Sequence, residues 1–220
     1  MATRLDADGV ALTPPLLTED QCGELRALFD EAGRFRSTVV MARHRFGEGS
    51  YRYFDHPLPP LVRSLRTALY PPLARIANDW ARRLKEPGFP PDHAALLDAC
   101  AASGQHRPTP LLLRYGPGGH NCLHQDVYGD LTFPLQVALM LDRPEADFTG
   151  GESVFVEQRP RAQSRPVVKR PGQGQGMIFA VRHRPVPSSR GWSRVALRHG
   201  VSEVHDGRRH VLGIIFHDAR

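Results

Sequence analysis

The sequence predicts a mainly β protein of the α+β class, in which helices come first and a jelly roll follows. Apolar residues recur at helical spacing in the first half of the 220-residue chain. After Gly104 the pattern changes to short apolar runs separated by turns rich in Gly and Pro, which is typical of a β sandwich or barrel. We expect one domain over residues 1–220, with a helical support and substrate lid over 1–105 and the β core over 106–220.

The N-terminal elements begin with a capped helix. Thr18-Glu19-Asp20-Gln21 forms a capping box ahead of periodic apolar positions, so a helix is predicted over about residues 19–32. Ser37–Arg45 and Ser50–Phe54 are rich in strand-forming residues and flank the turn Gly47-Glu48-Gly49. These segments are predicted to form a β-hairpin.

Two longer regions complete the prediction. Residues 59–84 have a helical apolar period, and Pro71-Pro72 is expected to divide this region into two helices. A further helix is predicted over 91–102. Predicted strands follow at Leu111–Tyr115, Phe133–Leu141, Glu152–Glu157, Gly176–Val181, Arg194–Arg198 and His210–Phe216.

Composition limits the class of protein. Hydrophobic residues make up 40% of the chain and charged residues 24%, which are ordinary values for a globular domain. No run approaches the roughly 20 apolar residues of a membrane span, and the N-terminus has no apolar signal core. Three widely spaced cysteines argue against a disulfide framework. We therefore expect a cytoplasmic protein without a membrane partner; the sequence gives no sign of its oligomeric state.

Charge is distributed unevenly along the chain. The net charge is +6, and residues 159–220 carry 13 Lys and Arg against three acids. Such an asymmetry is found in nucleic-acid-binding faces, but 27 of the 29 basic residues are Arg, which also fits a genome of high GC content. Charge alone therefore leaves binding to a polyanion open.

A metal-binding pattern stands in the second half of the chain. His124 and Asp126 are two residues apart, so on an extended segment their side chains project from the same face. With one distant histidine, they provide the two-His, one-carboxylate ligand set of non-haem Fe(II) centres. Alone, His-x-Asp is a weak signal that also occurs in surface turns.

Seven segments in fixed order make the pattern more specific. The segments are Leu113-Arg114-Tyr115-Gly116-Pro117-Gly118-Gly119, His124-Gln125-Asp126, Phe133–Leu141, Phe148-Thr149-Gly150-Gly151-Glu152, Gly176-Met177-Ile178-Phe179, His199–Val204 and Gly207–Leu212. With these segments the chain resembles the Fe(II)/2-oxoglutarate-dependent dioxygenases, in particular their prolyl-hydroxylase-like branch, over about residues 110–217. The resemblance implies a double-stranded β-helix (a cupin-like jelly roll), Fe(II), 2-oxoglutarate as cosubstrate and O2.

The resemblance also assigns roles to residues. His124, Asp126 and His199 correspond to the iron ligands and hence to the catalytic centre. Arg209 corresponds to the residue that pairs with the distal carboxylate of 2-oxoglutarate, because its planar fork matches a carboxylate. Tyr115 and Gln136 are further candidates for binding the cosubstrate, each with an ordinary core role as the alternative.

Two alternatives remain at this point. His183 also follows an apolar strand and could replace His199 as the third ligand; using His199 implies an inserted segment over about residues 182–193. Arg208 would replace Arg209 if the strand register were shifted by one residue.

The substrate is the least determined feature. One hypothesis is oxidative dealkylation of a nucleic-acid base in DNA repair, as in AlkB-like enzymes, because the N-terminal hairpin interleaves arginines with aromatic residues. The alternatives are hydroxylation of a prolyl or other protein side chain, and a cupin-like binding module without catalysis. The residues that could contact nucleic acid are Arg43, Arg45, Tyr51, Arg52 and Tyr53.

Overall fold

The helices and strands are seen in a computed structural model that describes residues 1–127, 129–159, 161–189 and 191–220. The α-helices are α1 (Ala2–Asp8), α2 (Glu19–Leu28), α3 (Pro60–Leu84) and α4 (His93–Ala102). Short 3-10 helices lie at Ala32–Arg34 and Met41–His44. The strands are β1 (Val10–Pro15), β2 (Phe35–Val40), β3 (Gly47–Glu48), β4 (Ser50–Phe54), β5 (Leu111–Tyr115), β6 (His120–His124), β7 (Leu135–Met140), β8 (Phe148–Gly150), β9 (Ser153–Gln158), β10 (Arg165–Lys169), β11 (Gln175–Ala180), β12 (His183–Ser188), β13 (Gly191–Val201), β14 (Val204–Gly207) and β15 (Arg209–Ile214).

Two antiparallel sheets form the body of the molecule. The larger has seven strands in the order β1-β11-β7-β15-β5-β4-β2, and the smaller has the order β10-β9-β13-β6-β3 with β12 paired to β13. β14 and β8 form a separate two-stranded ribbon. The sheets face one another across a cavity to which both contribute side chains. This is the predicted jelly roll, with helices packed on its outer face.

The side chains of β15 point alternately into the apolar core and into the cavity. Leu212 and Ile214 point towards the helices and belong to the main apolar core. Arg209, Val211 and Gly213 point the other way and line the cavity. Because successive side chains of a strand lie on opposite faces, one strand both anchors the fold and presents functional groups. In the ranges that the structure describes, the helices lack the length or the apolar character needed to cross a bilayer.

The predicted break at Pro71-Pro72 was wrong. α3 runs without interruption from Pro60 to Leu84. Each proline removes one backbone donor, but the buried side of the helix is continuous on both sides of the pair, from Val62 to Trp80. Packing of that side against the sheet offsets the missing hydrogen bonds, because helices in proteins are stabilised mainly by tertiary contacts.

The N-terminal segment also differs from the expected helical support. β1 pairs with β11 at one edge of the large sheet, and β4 and β2 extend the other edge beyond β5. The strand predicted at Ser37–Arg45 ends at Val40, where the chain enters the 3-10 helix and then turns at Arg45 with a φ of 60°. Residues 1–105 therefore supply three strands of the large sheet as well as the helices.

Candidate metal centre

The two residues of the His-x-Asp motif and one distant histidine meet in the wall of the cavity. His124 ends β6, Asp126 follows it in a loop, and His199 lies on β13, where it pairs directly with His124 across the two strands. Asp126 Oδ1 is 3.4 Å from His124 Nε2, and Asp126 Oδ2 is 3.1 Å from His199 Nε2. The three ligand atoms lie within 4.8 Å of one another. Two imidazoles and one carboxylate on one side of a site form the donor set that fits Fe(II) and leaves positions free for other ligands.

The protonation states of Asp126 and His199 suit a cation. Burial opposes ionisation of His124, but the hydrogen bond and the charge of Asp126 raise the pKa of His124 above its usual value. Burial opposes ionisation of Asp126, but hydrogen bonds with His124 and His199 hold the pKa of its carboxyl well below its usual value. Burial lowers the pKa of His199, against the opposing effect of Asp126. Asp126 is therefore ionised and His199 neutral near pH 7. These are the forms that bind a metal ion.

Neighbouring groups fix the orientation of these side chains. His124 Nδ1 lies 2.8 Å from the carbonyl oxygen of Cys122, which leaves Nε2 facing Asp126. Gln136, expected to contact the cosubstrate, donates from Nε2 to Asp126 Oδ2 over 2.8 Å. Gln136 also lines the cavity, but the hydrogen bond described here orients the carboxylate.

Gln125 lies between His124 and Asp126, and no role was predicted for it from the sequence. Its amide donates two hydrogen bonds, to the carbonyl oxygen of Arg182 over 2.7 Å and to that of Leu197 over 3.0 Å. Leu197 is two residues before His199 on β13. The side chain thus ties the loop that carries Asp126 to the strand that carries His199. Only the position between two candidate ligands could have drawn attention to it.

Arg209 lies in the same cavity as the three candidate ligands and is fully buried. Its Nη2 donates to Ser153 Oγ over 3.1 Å, its guanidinium lies 5.4 Å from the Tyr115 ring centre, and its Nε has no partner. Among the described residues it forms no ion pair with a carboxylate, and burial lowers its pKa. A buried guanidinium without an anion is costly, so this arrangement favours an anionic ligand.

A glycine makes room for this arginine. Gly151 has a φ of 62°, and a Cβ at this position would lie 2.8 Å from Arg209 Cδ and 2.9 Å from Val204 Cγ2. The left-handed conformation and the lack of space both exclude other residues. The Gly150-Gly151 turn noted in the sequence therefore has a direct part in placing Arg209.

Tyr115 is the immediate neighbour of Arg209 on the adjacent strand β5. It is buried, and burial raises its pKa to about 12, so its hydroxyl keeps its proton and can donate a hydrogen bond. Asn121 Nδ2 donates to this hydroxyl over 3.4 Å. Ser153 accepts a hydrogen bond from the Arg209 guanidinium and Asn121 donates one to the Tyr115 hydroxyl, so the polar groups around this pair are neutral. Asn121 lies just before the His-x-Asp motif, where a residue that lines the pocket is expected, whereas Ser153 had no distinctive pattern in the sequence.

One cavity of about 440 Å³ connects these groups. The three candidate ligands and Arg209 all line it, and much of the remaining wall is apolar or aromatic. A volume of this size suits a small ligand. Other wall residues include Phe46, Tyr51, Tyr53, Leu111, Leu113, Cys122, Leu123, Val137, Ala138, Phe155, Met177, Phe179, Val201, Val211 and Ile215.

The geometry favours His199 over His183 and Arg209 over Arg208. His183 lies on β12 with its Nε2 3.5 Å from Glu86 Oε1, and it does not join the three-residue cluster. Arg208 is exposed, whereas Arg209 faces the cavity. Of the segment over 182–193, the described residues 183–188 form β12 and residues 191–193 begin β13, and these two strands pair with each other. The register inferred for the last strand is therefore the one observed.

Gly213 lies on the cavity face of β15 and also makes room for a side chain of the neighbouring strand. A Cβ at this position would lie 2.6 Å from Leu111 Cδ2, so a larger residue here would displace Leu111.

The five candidate nucleic-acid contacts separate into two groups. Tyr51, Tyr53 and Arg45 line the cavity, and Arg43 is exposed beside it in the preceding 3-10 helix. Arg52 points to the other face of the sheet, where its Nη1 donates to the carbonyl oxygen of Phe29 over 2.7 Å and its guanidinium lies over the Phe29 ring. This packing does not favour a contact between Arg52 and nucleic acid.

The basic C-terminal third is partly neutralised in the folded chain. Several of its arginines form ion pairs with acids, many of which come from the N-terminal half or the middle of the sequence. A linear count of charge therefore overstates the positive surface. The pairs are Arg159–Glu157, Arg165–Asp8, Arg170–Glu152, Arg184–Glu157, Arg194–Glu86 and Arg220–Asp130.

Comparison with known proteins agrees with this geometry. An uncharacterised protein of Mycobacterium tuberculosis, MT2286, is 49% identical over 167 residues, which cover 76% of this chain and 72% of that protein. A prolyl-4-hydroxylase from Pseudomonas putida superposes with a TM-score of 0.58 at 15% identity, covering 100% of this chain and 97% of the other. A prolyl hydroxylase from Trichoplax adhaerens, solved with a fragment of the hypoxia inducible factor oxygen degradation domain, gives a TM-score of 0.62 at 15% identity, with coverage of 99% and 87%.

The family match covers most of the fold. Residues 49–219, from β4 to the end of the β core, match the Oxygenase-NA family, described as an oxygenase catalysing oxidative methylation of damaged DNA. The matched range contains all three candidate ligands and Arg209. The chain belongs to the Oxygenase-NA family, and it has the jelly-roll fold of similar solved structures that include a 2-oxoglutarate- and Fe(II)-dependent oxygenase from Burkholderia pseudomallei.

Proposed function

We propose that this oxygenase removes an alkyl group from a nucleic-acid base by oxidation, and that it acts in DNA repair. In this proposal His124, Asp126 and His199 hold Fe(II), and Arg209 pairs with the distal carboxylate of 2-oxoglutarate. Tyr115 donates a hydrogen bond from its hydroxyl group to the same carboxylate. The observation that carries the assignment is a buried arginine that has no carboxylate partner among the described residues and lies in the cavity that also contains the His-Asp-His cluster.

The donor set fits both groups. Two imidazoles and an ionised carboxylate match Fe(II), and the orphan Nε of Arg209 is a donor that a carboxylate can satisfy. When bound, Fe(II), 2-oxoglutarate and O2 together supply an oxidant that hydroxylates a C–H bond, with succinate and CO2 as coproducts. A hydroxymethyl group on a base nitrogen then leaves as formaldehyde.

The protein's own residues bind, orient and enclose the reactants. Arg209 and Tyr115 fix one end of the cosubstrate, while Gln136 and the backbone of Cys122 hold the ligand side chains in position. The apolar part of the cavity excludes water from the reacting atoms. The substrate carbon needs only to be placed near the metal, so the wall beside it determines which substrate is oxidised.

Support for a base as substrate comes from the family description and from the cavity wall. Tyr51 and Tyr53 lie on one face of β4, and their rings form an edge-to-face pair with centroids 5.5 Å apart. Aromatic side chains of this kind stack on bases irrespective of sequence. Arg45 at the same wall supplies a positive charge for phosphate.

A protein substrate is the second candidate, because two of the similar solved structures are prolyl hydroxylases. The test is incubation of the Fe(II)-loaded protein with 2-oxoglutarate, O2 and either an N-methylated oligonucleotide or a proline-containing peptide. The proposal predicts formaldehyde and succinate in equal amounts with the oligonucleotide. Succinate and a hydroxylated peptide, without formaldehyde from the oligonucleotide, would establish the second candidate instead.

A further inference from the structure

An aromatic pair at the rim of the cavity has no part in the centre described above. The rings of His44 and Phe46 are stacked, with centroids 5.3 Å apart and an interplanar angle of 23°. Phe46 lines the cavity and is 47% exposed, and Leu123, 42% exposed, also lines it on the strand next to that segment. Single exposed apolar residues are common, but two at the entrance of the cavity, one in a stacked pair, form a local surface.

The backbone beneath Phe46 is held to the metal-binding strand. The amide of Phe46 donates to the carbonyl oxygen of Met41 over 3.1 Å, and the amide of Cys122 donates to the carbonyl oxygen of Phe46 over 2.8 Å. Gly47 then pairs with Asn121 of β6, and a Cβ at Gly47 would lie 2.3 Å from the carbonyl oxygen of His120. The aromatic pair is thus positioned against the strand that ends at His124.

Positive charge lies next to this pair in the sequence. Arg43 precedes His44, and Arg45 stands between His44 and Phe46; both arginines are exposed and form no ion pair among the described residues, in contrast to several arginines of the C-terminal third. The segment over 41–48 carries one acid, Glu48. Stacked rings beside arginines that form no ion pair match a single nucleic-acid strand, whose bases have π faces and whose phosphates are anionic.

We propose that the His44–Phe46 pair is a stacking platform for the base next to the one that enters the cavity, with Arg43 and Arg45 contacting the phosphates of the same single strand. This inference rests on the function proposed above and adds to it the form of the substrate. A base must leave a duplex to reach such a cavity, and unstacking is least costly in a single strand. When one base enters the cavity, the base next to it loses a stacking partner, and the His44–Phe46 platform takes the place of that partner.

The test measures binding of a labelled N-methylated single-stranded oligodeoxynucleotide by fluorescence anisotropy, with Mn(II) and 2-oxoglutarate bound to the protein. Phe46→Leu keeps apolar area but removes the π face, and we expect its dissociation constant to rise about 10-fold. Phe46→Tyr retains the ring and should bind like the wild type. Arg43→Ala and Arg45→Ala should each reduce the slope of log K against log salt by about one.

Matched controls are available elsewhere on the surface. Trp192→Ala removes an aromatic side chain of similar exposure, and Arg75→Ala removes an exposed arginine of α3; neither residue lines the cavity. Equal affinity of Phe46→Leu and the wild type, or an equal loss with Trp192→Ala, would overturn the inference. So would a wild-type protein that does not bind the oligonucleotide. Formaldehyde release by the wild type separates these results, because it continues if only the platform is wrong and is absent if the proposed function is wrong.

Discussion

Replacement of Arg209 by Met is the most informative perturbation, because it should affect the empty protein and the ligand complex in opposite directions. In the protein without ligand, the substitution removes a buried charge that has one neutral hydrogen-bond partner and an unsatisfied Nε. Replacing buried ionic groups by apolar ones of similar volume is often neutral or stabilising by about 1–4 kcal/mol. We expect the free energy of unfolding of Arg209→Met to equal or exceed that of the wild type.

The effect on 2-oxoglutarate should be large. Loss of the buried charged partner of a carboxylate costs about 2–5 kcal/mol, and each 1.4 kcal/mol corresponds to a factor of ten in affinity. The dissociation constant of 2-oxoglutarate should therefore rise about 30-fold or more, which isothermal titration calorimetry of the Mn(II)-loaded protein can measure. Arg208→Ala is the matched control, since that side chain is exposed. Unchanged affinity in Arg209→Met, or an equal loss in Arg208→Ala, would refute the reasoning.

Three further predictions concern the candidate metal ligands, the hydrogen bonds that hold them in place and the stability of the fold at low pH. Asp126→Ala should abolish turnover and the visible spectrum of bound Co(II), because it removes the ionised ligand. Gln125→Ala should weaken Co(II) binding about 10- to 100-fold in a folded protein, since its two hydrogen bonds hold the loop of Asp126 to β13. Burial and the positive charge of Arg66 lower the pKa of His93 to about 4. The neutral form of His93 therefore stabilises the fold fully above pH 6.5. This contribution, at most about 3 kcal/mol, is lost as the pH falls from 6.5 towards 4. In urea unfolding, the free energy of unfolding of His93→Gln should therefore fall less between pH 6.5 and 4 than that of the wild type.

Each of these predictions has an outcome that contradicts it. A Co(II) spectrum in Asp126→Ala like that of the wild type would remove this carboxylate from the ligand set. Gln125→Ala with full Co(II) affinity would make its hydrogen bonds incidental to the site. Parallel stability curves for His93→Gln and the wild type between pH 6.5 and 4 would show that His93 is not kept neutral by burial.

Local patterns predicted much of the fold. The capping box at Thr18 was confirmed with both of its hydrogen bonds, and α2 begins at Glu19 as predicted. β5 has the predicted bounds because its apolar run is short and ends at a Gly-rich turn. β6 was missed, although it carries His124. Its side chains are half-buried or exposed and mostly polar, so it has neither an apolar run nor an alternating pattern.

Long-range effects explain the errors. The continuity of α3 through Pro71-Pro72 depends on packing of the whole helix, which no local rule includes. The reduced positive surface depends on pairs such as Arg194–Glu86, whose members are far apart in the sequence. Gln125 and Ser153 acquire their roles only when strands distant along the chain become neighbours. The cavity face of β15, in contrast, followed directly from alternation along a strand.

The central claim is that one cavity binds a metal ion at His124, Asp126 and His199 and 2-oxoglutarate at Arg209. Anaerobic titration of the Fe(II)-loaded protein with 2-oxoglutarate measures both together, because chelation of Fe(II) by the keto acid produces a visible charge-transfer band. We predict a saturable band in the wild type, its absence in His199→Ala, and a requirement for much higher 2-oxoglutarate concentration in Arg209→Met. A wild-type protein without the band, or a His199→Ala variant that retains it, would contradict the account.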